Sequence, residues 1–524
     1  MLFSHSAPPD RPRTGIFIRA AALILPLLML FSCSGGREMR TENGGVLAPD
    51  PLQKNTVGLL NPDAEVRGVW IATVGNINYP SKKGLDATSL AGELDAILEN
   101  CAELGLNAVF FQVRPTADAL YKSELFPVSE YLSGTQGKAA DGGFDPLAYL
   151  IDKAKDLKIN VHAWVNPLRV TYGSAKYPKT DLSALAMSNP ARKNPDWVIP
   201  YADGKLYFDA GNPDVREYIA AGVKEIVENY AVDGVVFDDY FYPYPVKDDF
   251  GTAVFDDSAS FAKYGGGQSL DDWRRSNIND LIKSCYEAVK DVRSECLFGV
   301  SPFGIWQNAS GENGGSATHG LEAYKTLYCD ALEWAKGGYV DYIAPQLYWR
   351  YDTDAAPYGE LLRFWNASLD GTGVKLLISH AAYMYETWES PEGELTRQIS
   401  DAREALCYRG SILYGYAAIE RDTAGIRRET GELFAEEIIY SDVWETGEKL
   451  SLYGITDMSE TYEATLAVNG KTDPTLTLYF DGKKVSRAKD GSFELDIPLS
   501  YGENELVFIC GDEKKVFTVT RNQS

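Results

Sequence analysis

Eight short apolar runs, rich in β-branched and aromatic residues, alternate with longer amphipathic stretches along most of this chain. They are RGVWIATVG from Arg67, NAVFFQVRP from Asn107, NVHAWVNPLR from Asn160, DGVVFDDYFYP from Asp233, LFGVSPFG from Leu297, DYIAPQLYW from Asp341, KLLISHAAYM from Lys375 and ILYGYAAIE from Ile412. Such alternation indicates βα units around a parallel sheet, and eight strands can close a barrel. We therefore predict an α/β fold, a (β/α)8 TIM barrel over residues 65–440.

An open doubly wound sheet is the alternative for a βα alternation. That fold often carries a Gly-rich phosphate-binding turn after its first strand. The first run here continues as IATVGNINYPS, which has no G-x-G-x-x-G pattern. The sequence therefore favours the closed barrel.

The hydrophobic pattern of the sequence changes near residue 440. From Lys449 onward, short alternating runs are divided by NGK, DGK, KDG and YGEN turns. This pattern predicts a small all-β immunoglobulin-like sandwich over residues 441–524. Since no three aromatic residues fall on one predicted face, a structural or docking role and a sugar-binding role both stay open for this domain.

The first 64 residues have the features of an export signal followed by a linker. Arg11, Arg13 and Arg19 precede an apolar run that is too short to span a membrane and that ends in Leu-Phe-Ser-Cys at Cys33. We predict a lipoprotein signal peptide over residues 1–33 with Cys33 as the lipid anchor; an ordinary cleaved signal is the alternative. Residues 34–64, rich in Gly, Pro and Asn, are predicted to be a flexible tether. The expected location is the bacterial cell envelope, as a periplasmic or outer-membrane lipoprotein.

The charge of the chain restricts its partners. The formal net charge is −25, with no basic cluster after the first twenty residues, so nucleic acid and anionic membrane surfaces are excluded as partners. Aromatic residues make up 12% of the chain, including 32 Tyr and 10 Trp, and such rings can form core or sugar platforms. We expect a monomer that binds a polysaccharide and contacts the membrane only through its anchor.

Metal and cofactor chemistry finds no support in the residue pattern. The chain has 4 His in total, too few for the histidine clusters of metal-dependent barrel hydrolases, and the cysteines after Cys33 match no zinc or disulfide framework. We predict no metal and no cofactor.

The fourth run carries the sharpest candidate site. Active sites of TIM barrels lie at the C-terminal ends of the strands, where this run ends in Asp238, Asp239 and Tyr240. If Val236 points into the barrel, Asp238 does so too, and Asp239 lies at the rim. Two carboxylates in an aromatic mouth can divide into a protonated acid and an ionised partner, as glycosidic bond cleavage requires. The alternative is that the pair caps a loop or binds a structural cation.

Other strand ends contribute further candidates, each with a structural alternative in core packing, layer hydrogen bonding or an internal salt bridge. The additional catalytic candidates are Asp118 and Glu386. The substrate-binding candidates are Arg114, His162, Asn166, Tyr240, Trp306, Gln346, Tyr348, Trp349, His380 and Tyr383.

Six of the segments together resemble a known family. RGVWIATVGNINYPS, FFQVRPTADALYKSELFPVSEYL, HAWVNPLRV, DGVVFDDYFYPYP, FGVSPFGIW and DYIAPQLYWR are similar, in order, to the glycosyl-hydrolase-like family 10 domain of bacterial envelope lipoproteins, over roughly residues 64–400. The resemblance implies a TIM-barrel glycosidase, and at least one member is thought to cleave denuded peptidoglycan glycan strands. The positions that match its motifs are Arg114, Asp118, Asn166, Asp238, Asp239, Gln346 and Tyr348.

The expected function is hydrolysis of O-glycosidic bonds in an envelope polysaccharide, namely N-acetylated peptidoglycan glycan strands. A retaining mechanism with a strand-seven nucleophile would use Glu386. Alternatively, the spacing from Asp233 to Asp238 resembles strand four of chitinase-type barrels, in which the substrate's acetamido group attacks the anomeric carbon. Tyr240 stands where those enzymes carry their acid, so Asp239 would take that role. The alternative function is a non-catalytic barrel that binds glycan or a partner protein.

Overall fold

The computed structural model describes residues 64–248, 251–311, 313–436, 438, 449–453, 455, 458–473, 476–488, 491–511 and 513–523. The predicted signal peptide with Cys33, almost all of the predicted tether and the predicted domain boundary at residues 440 and 441 lie outside these described residues. Within them, no helix is long and apolar enough to cross a membrane.

The wall of the main domain is a closed ring of parallel strands. In the described residues the eight strands are Val66–Ile71 (β1), Ala108–Arg114 (β2), Asn160–Val165 (β3), Gly234–Phe237 (β4), Leu297–Val300 (β5), Tyr342–Ile343 (β6), Lys375–His380 (β7) and Tyr408–Leu413 (β8). Each strand pairs in parallel with the next, and β8 pairs with β1. A short segment after β6, Gln346–Leu347, also pairs with β7. The prediction of a (β/α)8 barrel is confirmed.

Helices follow every strand, as the barrel fold requires. They are Ala87–Glu103 (α1), Glu130–Ser133 (α2), Pro146–Asp156 (α3), Pro190–Lys193 (α4), Pro213–Asn229 (α5), Ser258–Tyr264 (α6), Leu270–Val292 (α7), Ala331–Gly337 (α8), Tyr358–Leu369 (α9), Glu394–Arg403 (α10), Tyr416–Glu420 (α11) and Ile426–Leu433 (α12). The longer ones begin where the sequence provides caps. The side chains of Asp145 and Asn212 accept backbone N–H groups at the starts of α3 and α5, each followed by a proline at the first helical position.

Shorter elements lie in the connections. Antiparallel ribbons are formed by Val198–Pro200 with Leu206–Phe208 and by Lys247–Asp248 with Gly251–Thr252. Single helical turns are Val74–Asn76, Asp141–Gly143, Leu182–Ala184, Pro195–Trp197, Ala323–Leu327, Ala382–Glu386 and Thr423–Gly425.

The inside of the barrel is filled by side chains rather than open. Alternate residues of the strands form one buried apolar cluster, whose members are Trp70, Ala72, Ala108, Phe110, Trp164, Val236, Tyr342, Ala344, Leu377 and Ile412. Gly299 on β5 faces this cluster, where an added Cβ would come within 2.2 Å of the Tyr342 ring. Because the interior is packed, a ligand has access only to its ends.

The eighth strand lies earlier in the sequence than predicted. The run from Ile412 to Glu420 was expected to form it, but the strand is Tyr408–Leu413 and the residues from Tyr416 form α11. The apolar run therefore spans the end of a buried strand and the start of a buried helix, two structures that hydrophobicity alone does not distinguish.

The C-terminal part is all β and has its own cluster of buried apolar residues. Its strands are Leu450–Tyr453 (β9), Ser459–Thr461 (β10), Thr465–Thr472 (β11), Leu478–Phe480 (β12), Lys483–Lys484 (β13), Ser492–Pro498 (β14), Gly502–Cys510 (β15) and Glu513–Arg521 (β16). They form a three-stranded sheet, β9-β11-β14, and a five-stranded sheet, β10-β16-β15-β12-β13. Buried side chains from both sheets, such as Val468 and Phe508, belong to one cluster. The immunoglobulin-like topology stays a prediction.

A buried carboxylate holds the strands together where the barrel closes. Glu65, just before β1, is about 1% exposed and accepts hydrogen bonds from Arg67 at 3.0 Å and from Arg403 of α10 at 2.7 and 2.9 Å. The Tyr408 hydroxyl at the start of β8 donates to the same carboxylate at 3.2 Å. This one side chain therefore links the first strand, the last strand and the outer helices.

Replacement of Glu65 by Gln should destabilise the barrel strongly, because two arginines would keep their charge without a buried partner. We expect a loss of about 3–5 kcal/mol in the free energy of unfolding, measured by urea denaturation. Glu103→Gln is the matched control, since it breaks a pair with Arg427 in which Glu103 is 68% exposed. Its cost should stay below about 1 kcal/mol. Equal effects of the two changes would contradict the assignment.

Candidate active site

Asp238 lies at the C-terminal end of β4, directly above the packed interior. Val236, two residues earlier, belongs to the interior cluster, and the period of two along the strand carries Asp238 to the same side. The Trp164 indole of that cluster donates to Asp238 Oδ2 at 3.1 Å, and Asn166 Nδ2 donates to the same oxygen. Asp238 is 4% exposed, and both of these donors come from the neighbouring strand β3 and the residue that follows it.

The orientation of Asn166 is fixed by a chain of hydrogen bonds. Gln112 Oε1 accepts the backbone N–H groups of Thr73 and Val74, each at 2.9 Å, so the Gln112 Nε2 group faces β3. That group donates to Asn166 Oδ1 at 2.5 Å, which leaves Asn166 Nδ2 to face Asp238. The loop after β1 thereby determines which atom of Asn166 meets the carboxylate.

Asp239 has a different set of partners. It is 2% exposed, and the Tyr244 hydroxyl donates to its Oδ2 atom. The side-chain amide of Gln346 also donates to Asp239, and it donates to the backbone oxygen of Ser301 at 3.0 Å. Asp239 is therefore held by the loop after β4 and by the segment that follows β6.

The two carboxyl groups are electrostatically unequal. Burial, followed by the charge of Asp239, raises the pKa of Asp238 to about 7, and the Arg169 charge acts in the opposite direction. Burial also raises the pKa of Asp239, but hydrogen bonds from Tyr244 and Gln346 stabilise its ionised form. The arrangement favours one proton shared unequally, with Asp238 protonated and Asp239 ionised.

Arg169 supplies the positive charge next to this pair. Its Nη2 group donates to Asn166 Oδ1 at 2.9 Å and its Nε group to the backbone oxygen of Pro115 at 2.9 Å. The guanidinium lies 5.0 Å from the centre of the Tyr240 ring and 5.6 Å from that of Tyr172. Arg169 thus contacts both Asn166 and the aromatic wall of the site.

Partly buried aromatic rings surround the carboxylates. Tyr240, Tyr244, Phe303 and Trp349 form a chain of edge contacts, with successive ring centres 5.8, 6.2 and 5.5 Å apart. A second group, Tyr348, Tyr383 and Tyr414, forms a triangle with centres 5.6 to 5.9 Å apart. Tyr348 interacts electrostatically with Asp239, and Tyr414 with Asp238. These rings give the site flat apolar walls of the kind that pack against pyranose faces.

The structure brings eight of the candidate residues together around this site. They are Asp238, Asp239, Asn166, Tyr240, Gln346, Tyr348, Trp349 and Tyr383. The other six candidates, Asp118, Arg114, His162, His380, Trp306 and Glu386, lie elsewhere, for reasons that differ from one residue to the next.

Arg114 and Asp118 were expected at the mouth but are buried in other surroundings. The pairing of β2 with β3 shifts register between Gln112 and Arg114, which breaks the alternation of the strand. The Arg114 guanidinium lies 4.1 Å from the Phe126 ring centre, next to Gly222 of α5. Asp118 accepts hydrogen bonds from Thr116 at 2.9 Å and Gln136 at 3.0 Å, so it organises the loop after β2.

Both candidate histidines are inside the protein, away from the mouth. His162 points into the barrel one layer below Trp164, where its Nδ1 atom is 2.9 Å from the Tyr342 hydroxyl, and burial lowers its pKa to about 3. His380 points outward from β7, between Gln398 Oε1 at 3.0 Å and Ser411 Oγ at 2.9 Å. Burial lowers its pKa to about 4. These contacts are those of buried, hydrogen-bonded histidines.

Trp306 and Glu386 are also separate from the carboxylates. Trp306 stacks on Phe364 of α9 and donates to Asp330 at 3.2 Å, so it lies in the helical layer. Glu386 ends the turn Ala382–Glu386, where its side chain is 46% exposed and pairs with Arg421. A nucleophile at Glu386 finds no support in this geometry.

Several residues of the site were not among the candidates. Trp164 and Gln112 follow the same inward alternation as Asn166 and Phe110, so the strand period could have identified them. Tyr244 and Arg169 belong to loops, whose paths no periodicity predicts. Tyr414 was hidden by the misplacement of the eighth strand.

Comparisons with known proteins agree with this architecture. The family described as glycosyl hydrolase-like 10 matches residues 65–390. The chain is 40% identical over 373 residues to "Glycosyl hydrolase YngK" of Bacillus subtilis (strain 168), covering 70% of this chain and 71% of that protein. It is 34% identical over 379 residues to "Glycosyl hydrolase DigH" of Escherichia coli (strain K12), covering 70% and 83%.

A solved structure similar to this chain is the PgaB (BpsB) glycoside hydrolase domain from Bordetella bronchiseptica. It shares 15% identity, with a TM-score of 0.45, and the match covers 69% of this chain and 98% of that domain. The family match covers β1 to β7 and includes Asp238, Asp239 and most of the residues that contact them. On the strength of that match and of the two relatives, the chain belongs to the glycosyl hydrolase-like 10 family.

Proposed function

We propose that this protein is a glycoside hydrolase that cleaves the glycan strands of peptidoglycan. The observation that carries the proposal is the pair Asp238 and Asp239, buried and unequal in pKa, at the C-terminal end of a barrel strand among partly exposed aromatic rings. Cleavage of a glycosidic bond needs one carboxylic acid to protonate the leaving oxygen and one carboxylate to support the charge at the anomeric carbon.

Asp238 is the proposed acid. With its pKa raised to about 7 by burial and by the Asp239 charge, it keeps a proton near neutral pH and can give it to the glycosidic oxygen. Trp164 and Asn166 both donate to Oδ2, which leaves Oδ1, near the backbone N–H of Tyr240 at 3.3 Å, as the proposed site of the transferable proton.

Asp239 is the proposed ionised partner. Two hydrogen-bond donors, Tyr244 and Gln346, stabilise its negative charge, which can then act on the positive charge that develops on the sugar ring. Whether it attacks carbon, activates water or orients the substrate's acetamido group determines the stereochemistry of the product. Activation of water gives inversion, whereas attack by Asp239 and assistance by the acetamido group both give retention. The anomeric configuration of the first product, read by proton NMR, therefore distinguishes activation of water from the other two roles.

The proposed substrate and location rest on the sequence and on the family resemblance. Two relatives are named glycosyl hydrolases, and the family resemblance points to peptidoglycan strands freed of peptides. A lipid anchor at Cys33 would hold the enzyme in the bacterial envelope, beside that polymer. We further propose that the protein acts as a monomer and that its C-terminal domain has the immunoglobulin-like topology.

Replacement of either carboxylate by its amide should abolish turnover and preserve glycan binding. For Asp238→Asn and for Asp239→Asn we expect kcat to fall by about 10²- to 10⁴-fold, because each removes a proton donor or a charge without changing side-chain shape. The assay incubates the purified full-length chain with intact and with peptide-stripped peptidoglycan, followed by mass analysis of released fragments.

Glu386→Gln is the control, since this exposed residue lies outside the site and should leave kcat unchanged. Disaccharide fragments without peptides support the proposal. Release of fragments only from an unrelated glycan would exclude peptidoglycan as the substrate. Binding of glycan without any product from the unaltered protein would instead identify a non-catalytic barrel.

The pH dependence of kcat/KM should reflect the ionisation of Asp238 and Asp239. Activity should rise as Asp239 loses its proton and fall near pH 7 as Asp238 loses its own. Tyr244→Phe removes a hydrogen bond that favours ionised Asp239, so its pKa should increase. The rising limb of the profile should therefore move to higher pH by about one unit.

Tyr351→Phe is the control for the pH profile. It removes a similar hydrogen bond, from Tyr351 to Asp401, remote from the carboxylate pair, and should leave both limbs in place. A Tyr244→Phe profile identical to that of the unaltered protein, or one shifted to lower pH, would contradict the assignment of Asp239 as the ionised partner.

A further inference from the structure

We propose that Ser301 is a substrate-contacting residue, whose hydroxyl binds a hydroxyl or amide group of the sugar held next to Asp238. This inference rests on the proposed glycosidase function and extends it to a residue that is not among the candidate site residues, although it lies in the segment FGVSPFGIW. Ser301 directly follows β5, the strand next to β4 in the barrel.

The Ser301 side chain points toward the mouth of the barrel. Two residues earlier, Gly299 faces the interior, where an added Cβ would meet the Tyr342 ring at 2.2 Å. Leu297, two residues earlier again, packs against the same interior cluster. The period of two along β5 therefore carries Ser301 to the inner side at the strand's C-terminal end.

Ser301 lies beside Asp238 and is linked to Asp239 through Gln346. Val236 pairs with Gly299 and Phe237 with Val300, and the Ser301 N–H donates to the Phe237 oxygen at 2.7 Å, so Ser301 lies beside Asp238. Its backbone oxygen accepts the Gln346 amide, which also donates to Asp239. The backbone of Ser301 is thus fixed from both sides.

Among the described residues, the hydroxyl of Ser301 is free to form hydrogen bonds, whereas the polar side chains that end the neighbouring strands are already engaged. Gln112, Asn166 and Asp238 form a row across β2, β3 and β4 in which each side chain is engaged by the others or by backbone. Ser301 continues this row on β5 and is 1% exposed, yet its Oγ atom has no hydrogen-bond partner within the described structure. A buried polar group without a partner is costly in a folded protein, and a substrate group bound at this position would supply the missing hydrogen bond.

The chemistry of the site restricts what this ligand group can be. A serine hydroxyl both donates and accepts one short hydrogen bond, as do the hydroxyl groups of a pyranose. A sugar whose glycosidic oxygen lies against Asp238 presents its ring substituents to the neighbouring strand ends. Ser301 therefore fits a sugar substituent in the subsite that Asp238 serves.

Ser301→Ala should separate substrate binding from folding. Loss of an unpartnered hydroxyl removes nothing that the free protein uses, so the melting temperature should stay the same or rise. By contrast, kcat/KM on peptide-stripped glycan strands should fall by about 10- to 100-fold, because a substrate group is left unpaired in a buried site.

Ser379→Ala is the matched control for folding. Ser379 is equally buried at the end of β7, but its hydroxyl is engaged by the Trp70 indole at 2.9 Å and by Tyr348 at 3.0 Å. Its loss leaves the Trp70 indole unpaired, so the melting temperature should fall. A fall for Ser301→Ala as large as that for Ser379→Ala would overturn the inference, since it would show a structural role.

A binding measurement distinguishes failure of this inference from failure of the proposed function. Peptide-stripped glycan strands are titrated by calorimetry against Asp238→Asn and against Asp238→Asn with Ser301→Ala. At least tenfold weaker binding to the double variant supports the role of Ser301 even without turnover. Equal binding overturns this inference and leaves the glycosidase proposal intact, whereas absence of binding to both variants, with no turnover by the unaltered protein, overturns both.

Discussion

Strict alternation along short parallel strands is the constraint on which the site depends. The same period of two that fills the barrel with Trp70, Phe110, Trp164 and Val236 raises Asp238 onto the top of that apolar layer. Water cannot reach a carboxylate in this position from the side of the apolar layer, so burial disfavours its ionised form. The catalytic property proposed for Asp238 is therefore a consequence of how the interior is packed.

The surrounding hydrogen bonds determine how far burial raises the pKa of each carboxyl group. Asp238 and Asp239 are both almost fully buried, but their partners differ. Tyr244 in the loop after β4 and Gln346 in the segment after β6 interact with Asp239, whereas Trp164 and Asn166, from β3 and its end, donate to Asp238. Neighbouring carboxyl groups with different partners cannot titrate alike. The asymmetry that an acid and its ionised partner require thus arises from two adjacent residues with different hydrogen-bond partners.

The sequence allowed most of the barrel to be predicted, since seven of the eight runs coincide with strands and the inward position of Asp238 follows from Val236. The errors have identifiable physical causes. Arg114 points outward because the strand pairing shifts register after Gln112. His380 lies on the outward face of β7 and contacts the helical layer. The apolar run that begins in β8 continues into the helix that starts at Tyr416. Loop residues such as Arg169 and Tyr244 were not assigned to the site, because loop paths depend on tertiary contacts rather than on periodicity.

The distribution of hydrogen-bonding capacity explains which parts of the site can adapt to a ligand. Gln112 and Asn166 are engaged on both sides of their amides, so these groups can only support Asp238 in one geometry. The tyrosine rings at the mouth are only partly buried, so the proposed sugar substrate would pack against them. The fixed amide groups beneath the partly exposed aromatic rings would hold the reacting bond in one geometry. The rings would still tolerate variation in the rest of a polymer. This division of roles suits the proposed cleavage of one linkage within a long, repetitive chain.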